Sequence, residues 1–256
     1  MRFKDVLVAI DGSPASFRAA ELGSQIAAAE GGTLELLAVA GRRKDLAGKL
    51  GIGGDEDPDQ ERLRREADVR SAAAVLGPGA PIRSTTVVEG PIAETILERC
   101  GACDEDTRDR LICMGSGRHK LRLGSVSSEV LRGATCPVLV VREGSSRSPR
   151  VQRILVGFDG TQGAWSAIEA AAELSKQCGA EVHLVQVLRP SFPMPARGMP
   201  LGEEEMQQLA GEPERKEIRE AADRITEAGG AVAKTLFELG RPHERLLAQA
   251  EGQTWT

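Results

Sequence analysis

The chain has 256 residues, room for two domains of about 100–150 residues each. Thirty-three basic and 38 acidic residues give a net charge of −5, and only 3% of residues are aromatic, with no Tyr. That balance argues against a nucleic-acid footprint or a base-stacking platform. A mean hydropathy of −0.24, with no apolar run near the roughly 18 residues of a spanning helix, predicts a soluble globular protein.

From the N-terminus, Met1-Arg2-Phe3-Lys4 has a basic flavour, but the apolar stretch after it meets Asp11 too soon for a signal peptide. Val6–Ile10 is a short, nearly continuous apolar run, as expected of a parallel strand buried on both faces. Asp11-Gly12-Ser13 ends it; Ser13 can N-cap a helix whose first position suits Pro14. That helix is predicted to reach about Glu30 and stop at Gly31-Gly32. Strand two is Leu34–Val39, and a Gly- and charge-rich loop, Arg42–Asp57, leads to a helix from Asp57-Pro58 to about Leu76. Strand three is about Ile82–Val88, Gly90-Pro91 opens a third helix, strand four is Leu111–Met114, a short helix starts near Ser125, and strand five is Pro137–Val141. Alternating elements with short turns imply a parallel sheet covered by helices on both faces.

The pattern then repeats. Asp5–Ser13 matches Arg153–Thr161 at an offset of 148, without a gap for more than thirty residues, pairing Asp11 with Asp159 and Val39 with Val187. Gly90, Glu94, Ile96 and Leu97 match Gly240, Glu244, Leu246 and Leu247 at an offset of 150. One register held that long marks a duplication. The expected organisation is α/β: two Rossmann-like parallel-sheet domains, residues 1–142 and 151–256, joined by a Ser- and Arg-rich linker at 143–150. Nothing in the second copy matches Leu111–Val141, so it is expected to carry about three strands, with its first strand, Arg153–Phe158, as an apolar edge. Such an edge is expected to be covered by domain one, by the tail Gly252–Thr256 with Trp255 as anchor, or by another chain.

Ligands of open α/β sheets sit beyond the carboxyl ends of the strands, where strand order reverses. Asp11-Gly12-Ser13 lies at one such end and Gly115-Ser116-Gly117 at another. Gly115 and Gly117, lacking Cβ, let backbone approach a ligand; Gly124-Ser125 opens a helix whose free amides attract anions. The set predicts a phosphate cradle with a carboxylate across the crevice, though Asp11 could equally cap its own turn.

Met114-Gly115-Ser116-Gly117, Leu123-Gly124-Ser125-Val126-Ser127-Ser128-Glu129-Val130-Leu131 and Cys136–Val141 together resemble the C-terminal signature of the universal stress protein family. Val6–Ser13 is similar to that family's opening strand and turn, so the chain resembles a tandem member. The resemblance implies a flavodoxin-like sheet of order 3-2-1-4-5, homodimerisation or other self-association through strand five and, in one subgroup, binding of ATP or AMP, with or without Mg. Carried over, Asp11 and Val39 would flank adenine. Gly115 and Gly117 would line ribose and phosphates, and Gly124, Ser125, Val126 and Ser127 would hold the phosphates.

The subgroup's spacing is G-x2-G-x9-G-[ST], whereas Gly115 and Gly124 are nine positions apart, four fewer, or about one helical turn. Loss of two amide–phosphate bonds at about 1.5–3 kcal/mol each would weaken binding roughly a hundredfold or more. Arg118, His119, Lys120 and Arg122 in the shortened loop either pair with phosphate or form a solvated face. Domain two keeps Asp159 and Val187 without a glycine cradle and is not expected to bind nucleotide alone.

Five cysteines, an odd number, read as reduced cytoplasmic thiols. Cys100-Gly101-Ala102-Cys103 has redox or zinc spacing, but Asp104, Glu105 and Asp106 are expected to raise its thiol pKa values; Cys113 and Cys136 read as small core residues. Three dispersed histidines suggest no metal site, and no catalytic base is evident. The sequence thus favours a stress-response binding protein over an enzyme, with a nucleotide-independent interaction module as the alternative, weak ATP hydrolysis as a third reading, and no nucleic-acid or membrane partner.

Overall fold

The structure, a computed structural model, describes residues 3–41, 57–101, 109–116, 123–142, 151–188 and 210–252, the side chains of the last two apart. The chain divides into two compact units, Arg2–Pro149 and Arg150–Thr256.

In the first unit the elements alternate as β1 (Asp5–Ala9), α1 (Pro14–Ala29), β2 (Thr33–Ala40), α2 (Pro58–Leu76), β3 (Ile82–Glu89), α3 (Ile92–Cys100), β4 (Arg110–Ser116), α4 (Ser125–Gly133) and β5 (Val138–Arg142). All strand pairs are parallel, in the order β3-β2-β1-β4-β5. Because β1 pairs with β2 on one side and β4 on the other, Ala9 stands level with both Leu37 and Met114. The strand order therefore reverses beside β1, and the strand ends there open a crevice.

Side-chain alternation distributes β1 between two cores. Leu7 joins Leu37, Val39, Ile112 and Met114 under α3 and α4, which contribute Ala93, Ile96, Cys100 and Val130. Val6 and Val8 point the other way, against α1, where a Cβ on Gly23 would lie 3.2 Å from each and 3.3 Å from Cys113 Sγ. The buried stripe of α1 is Ala15, Ser16, Ala19, Ala20, Gly23, Ile26 and Ala27, small residues at helical spacing that let the helix settle close to the sheet. Ser13 caps it, its Oγ accepting from Ser16 N at 3.2 Å, and Asp57 caps α2 as the sequence implied.

At the opposite end of the sheet, Glu35 is buried on β2 and accepts from Arg99 Nε at 2.7 Å and Thr86 Oγ1 at 3.4 Å, with Arg83 at 3.5 Å. Arg83 also reaches Asp5 at 3.2 Å, and Arg110 holds Asp5 at 3.0 Å. The network joins β1, β2, β3, β4 and α3 through two carboxylates. It satisfies a charge that could not otherwise be buried.

The second unit runs β6 (Arg153–Gly157), α5 (Gln162–Cys178), β7 (Glu181–Leu188), α6 (Glu212–Glu227), β8 (Ala231–Leu239) and α7 (Pro242–Gly252), with a parallel sheet ordered β6-β7-β8. Its core gathers Val156, Phe158, Ile168, Val182, Leu184, Ile218 and Ile225. Phe158 meets Trp165 edge-to-face at 5.0 Å, and Arg224 lies 4.4 Å over the indole while its other contact is the expected i,i+4 partner Glu220 at 3.3 Å.

Two boundaries differ from expectation in a way that matters. β4 extends past Met114, because Gly115 and Ser116 pair with Val141 and Arg142 of β5; Gly115 is a strand residue rather than part of a following loop. β6 stops at Gly157, with Phe158 already turning into the core. The loop 42–56, the linker 143–150 and the tail residues 253–256 with Trp255 lie outside the described residues.

Glu35→Gln removes the charge that Arg99 and Arg83 share, and both arginines are half-exposed, so screening limits the loss. A decrease in unfolding free energy of about 1–3 kcal/mol is expected from urea denaturation, shrinking as salt is added.

Candidate functional site

The β1–α1 turn is built identically in both units. Asp11 Oδ1 accepts from Ser13 N at 2.9 Å, and Asp159 Oδ1 accepts from Thr161 N at 3.1 Å and from its hydroxyl at 2.7 Å. These two donors hold the Asp159 carboxyl below the usual carboxylate range. Gly12 (φ 82°) and Gly160 (φ 76°) take the left-handed conformation the turn demands. A Cβ on Gly12 would lie 2.5 Å from Asp68 Oδ1 on α2, and one on Gly160 would lie 2.7 Å from Glu217 Oε2 on α6. A carboxylate from the next helix packs over the glycine each time.

Beside that turn in the first unit is a cavity of about 280 Å³. Leu37, Val39, Ile92, Ile96, Met114 and Ala9 form its apolar walls. Polar groups line the rest: Asp11 and Arg65 on one side, Gly115, Gly124, Ser125, Val126 and Ser127 on the other. Seven of the eight residues expected from the sequence thus surround one crevice, although they come from three separate stretches of chain. The eighth, Gly117, lies outside the described residues, as do Arg118, His119, Lys120 and Arg122.

The two glycines on the rim have different physical roles. At Gly115 a Cβ would sit 2.5 Å from Ser16 N and 2.8 Å from Ala15 C, so the missing side chain makes room for the first turn of α1. The sequence expectation was that Gly115 lets backbone approach a ligand; its backbone lines the crevice, while the space a side chain would take belongs to α1. At Gly124 (φ −60°, ψ 160°) a Cβ would meet nothing nearer than Ser127 Oγ at 4.0 Å. Among the described residues neither backbone conformation nor packing requires a glycine there, and Gly124 lines the crevice.

Gly124 is the N-cap of α4 and has no side chain with which to satisfy the first-turn amides. Helix geometry leaves those N–H groups without intrahelical carbonyls and concentrates partial positive charge on them. Ser127, buried, donates its hydroxyl to Gly115 O at 3.4 Å and so ties α4 to the end of β4.

Arg65 was not legible as a site residue. It lies mid-helix on α2, 54 residues from Asp11, with Arg62, Arg64 and Glu66 as sequence neighbours. Its Nη1 donates to Asp11 O at 2.8 Å and to Asp68 at 3.3 Å, while its buried Nε has no hydrogen-bond partner among the described residues. No local spacing signal could have found it, because only the packing of α2 over β2 and β3, beside α1, brings the guanidinium to the crevice.

In the second unit the matching wall is built differently. Leu246 of α7, which aligns with Ile96, brings Cδ1 to 2.9 Å from where a Cβ on Gly157 would stand, and Gly157 aligns with Ala9. Among the described residues no three His, Cys, Asp or Glu side chains could hold a metal together.

The profile of the universal stress protein family matches residues 2–142 and again 150–254. A universal stress protein encoded beside a sulfhydrylase gene in Thermus aquaticus is 35% identical over 144 residues, 55% of this chain and 99% of that protein. Universal stress protein Rv2623 of Mycobacterium tuberculosis is 34% identical over 109 residues, 40% of this chain and 33% of its own length. The crystal structure of a universal stress protein from Archaeoglobus fulgidus superposes on 98% of this chain and 84% of its own with a TM-score of 0.69 at 21% identity, which shows the shared fold. The chain belongs to the universal stress protein family, with the family's sequence present twice.

The two glycines should separate in a stability measurement. Gly115→Ala, colliding with backbone, is expected to cost about 1–3 kcal/mol in denaturant unfolding; Gly124→Val, pointing into open space, is expected to change stability by less than about 1 kcal/mol.

Proposed function

We propose that the first domain, residues 1–142, binds an adenine nucleotide, ATP or AMP with or without Mg, as a regulatory ligand of a stress-response protein. The observation that carries this reading is the N-terminus of α4 at Gly124, which lines the crevice with no capping side chain of its own and, among the described residues, no packing reason for its glycine. The amides of Ser125, Val126 and Ser127 would take the phosphates, a placement that the helix-terminus charge favours. The apolar walls formed by Val39, Leu37 and Met114 suit a flat base, and Asp11 offers an acceptor at its edge. Arg65 adds a guanidinium to the wall, oriented through Asp11 O and Asp68 and with Glu61 at 3.7 Å. The backbone of Gly115, and Gly117 beyond it, would complete the rim.

The role is binding rather than turnover. Among the described residues lining the crevice the ionisable side chains are Asp11, which accepts from its own turn, and Arg65, which is a donor only; neither is placed as a base for water. The second domain, residues 151–256 after a linker at 143–150, acts on this reading as a nucleotide-independent structural module, since its described elements include no counterpart of β4 and α4, which bring Gly115 and Gly124 to the first crevice. Self-association through β5, whose hydrogen-bonded neighbour in the sheet is β4 alone among the described strands, and a cytoplasmic location complete the proposal.

Isothermal titration tests it. Wild type should bind ATP or AMP saturably. Gly124→Val should lose at least tenfold in affinity without unfolding, and Arg65→Ala should lose roughly 10–100-fold, corresponding to one or two charge-assisted hydrogen bonds. No binding by wild type at millimolar nucleotide would overturn the assignment and leave the nucleotide-independent module.

A further inference from the structure

Cys100 is the last residue of α3, and Cys136 stands in the turn that leads from α4 into β5. Cys103, the other cysteine of the C-x-x-C spacing, lies outside the described residues, and Cys136, expected as a small core residue, packs half-buried against the core beneath α3 and α4. The fold brings Cys100 Sγ to 2.9 Å from Cys136 Sγ, across 36 residues of chain. That separation is closer than two sulfurs ordinarily pack and within a small adjustment of a bonded pair at about 2.05 Å. Both thiols line a cavity of about 190 Å³ bounded by Leu97, Gly101, Ile112 and Gly133.

The surroundings distinguish this pair from the other described cysteines. Cys113 is fully buried against α1, and burial pushes its thiol pKa up; burial raises Cys178 as well. Cys100 goes the other way. The Cys136 thiol beside it and then the Arg110 guanidinium favour its thiolate over the cost of burial. Asp104, Glu105 and Asp106, expected to raise the thiols of this stretch, lie outside the described residues. Arg110 is itself anchored, donating to the Cys100 carbonyl and to Asp5 Oδ2 at 3.0 Å.

We propose that Cys100 and Cys136 are a reversible oxidation site, closing to an intramolecular disulfide in the presence of a low-molecular-weight disulfide such as oxidised glutathione. Cys136, the half-buried member, meets the oxidant first. Its thiolate attacks one sulfur of the small disulfide, forming a mixed disulfide and releasing one small thiol. The Cys100 thiolate then attacks Cys136 Sγ and expels the second small thiol. The protein loses two protons and two electrons, and one disulfide molecule becomes two thiols. The bond would tie the end of α3 to the end of α4, the two helices that supply Ile92, Ile96 and Ser125–Ser127 to the crevice. The proposal does not depend on what the crevice binds.

The test is thiol counting and peptide mapping on the full chain equilibrated with oxidised glutathione. Thiols counted after denaturation should fall from five to three and return to five with dithiothreitol. Trypsin should then release residues 100–108 joined to residues 133–142, with the loss of two hydrogens. The same joined peptides should persist in Cys103→Ser and disappear in Cys136→Ser. Five thiols remaining under a large excess of oxidant, a stable glutathione adduct without a bridge, or a bond closed within residues 100–108 would each overturn the proposal.

Discussion

The architecture of the first unit depends on β1 being paired on both sides by strands of the same direction. That arrangement places Ala9, Leu37 and Met114 at one level, and every βα connection must leave from the same edge of the sheet. The chain winds to one side of β1 through β2 and β3 and to the other through β4 and β5. Helices therefore diverge at the β1/β4 junction, and the gap they leave cannot be filled by either neighbour. Gly115 sets how narrow that gap is. With only hydrogen opposite Ser16 N, α1 lies against the end of β4, and the crevice opens toward α3, α4 and the N-terminus of α4 rather than toward α1.

The two units show how one pattern supports different interiors. The Asp-Gly turn, its cap and the overlying carboxylate recur at Asp11-Gly12 with Asp68 and at Asp159-Gly160 with Glu217. These features belong to turning a chain from strand to helix, so they persist whether or not a ligand is held nearby. The walls have changed instead. Where Ala9 and Ile96 leave room, Gly157 and Leu246 meet, and Phe158 with Trp165 and Arg224 builds an aromatic corner.

The crevice and the dithiol share a dependence on α3. Its apolar face presents Ile92 and Ile96 to the crevice and ends at Cys100 beside Cys136. The same helix carries Arg99, which neutralises Glu35 at the far end of the sheet. A nine-residue helix is thus held at its C-terminal end by the sheet's ion-pair network and along its apolar face by packing against β2 and α4. Closure of a disulfide at its C-terminus would add a covalent restraint to one that is now made of contacts alone.

Local chemistry made much of this readable from residues in order. Val6–Ile10 announced a doubly buried strand because neither face of a parallel sheet meets water. Ser13-Pro14 and Asp57-Pro58 announced helix starts because their side chains and ring satisfy the first-turn requirements, and the repeat at Asp159 followed from register alone. What required tertiary structure was every relation between residues far apart in the chain. The side of Gly115 that faces α1, the guanidinium of Arg65 beside Asp11, Leu246 against Gly157 and the meeting of Cys100 with Cys136 depend on crossover helices laying distant stretches side by side. Spacing along a sequence encodes which face a residue presents; it does not encode which residue waits opposite, because that is decided by how the sheet is wound.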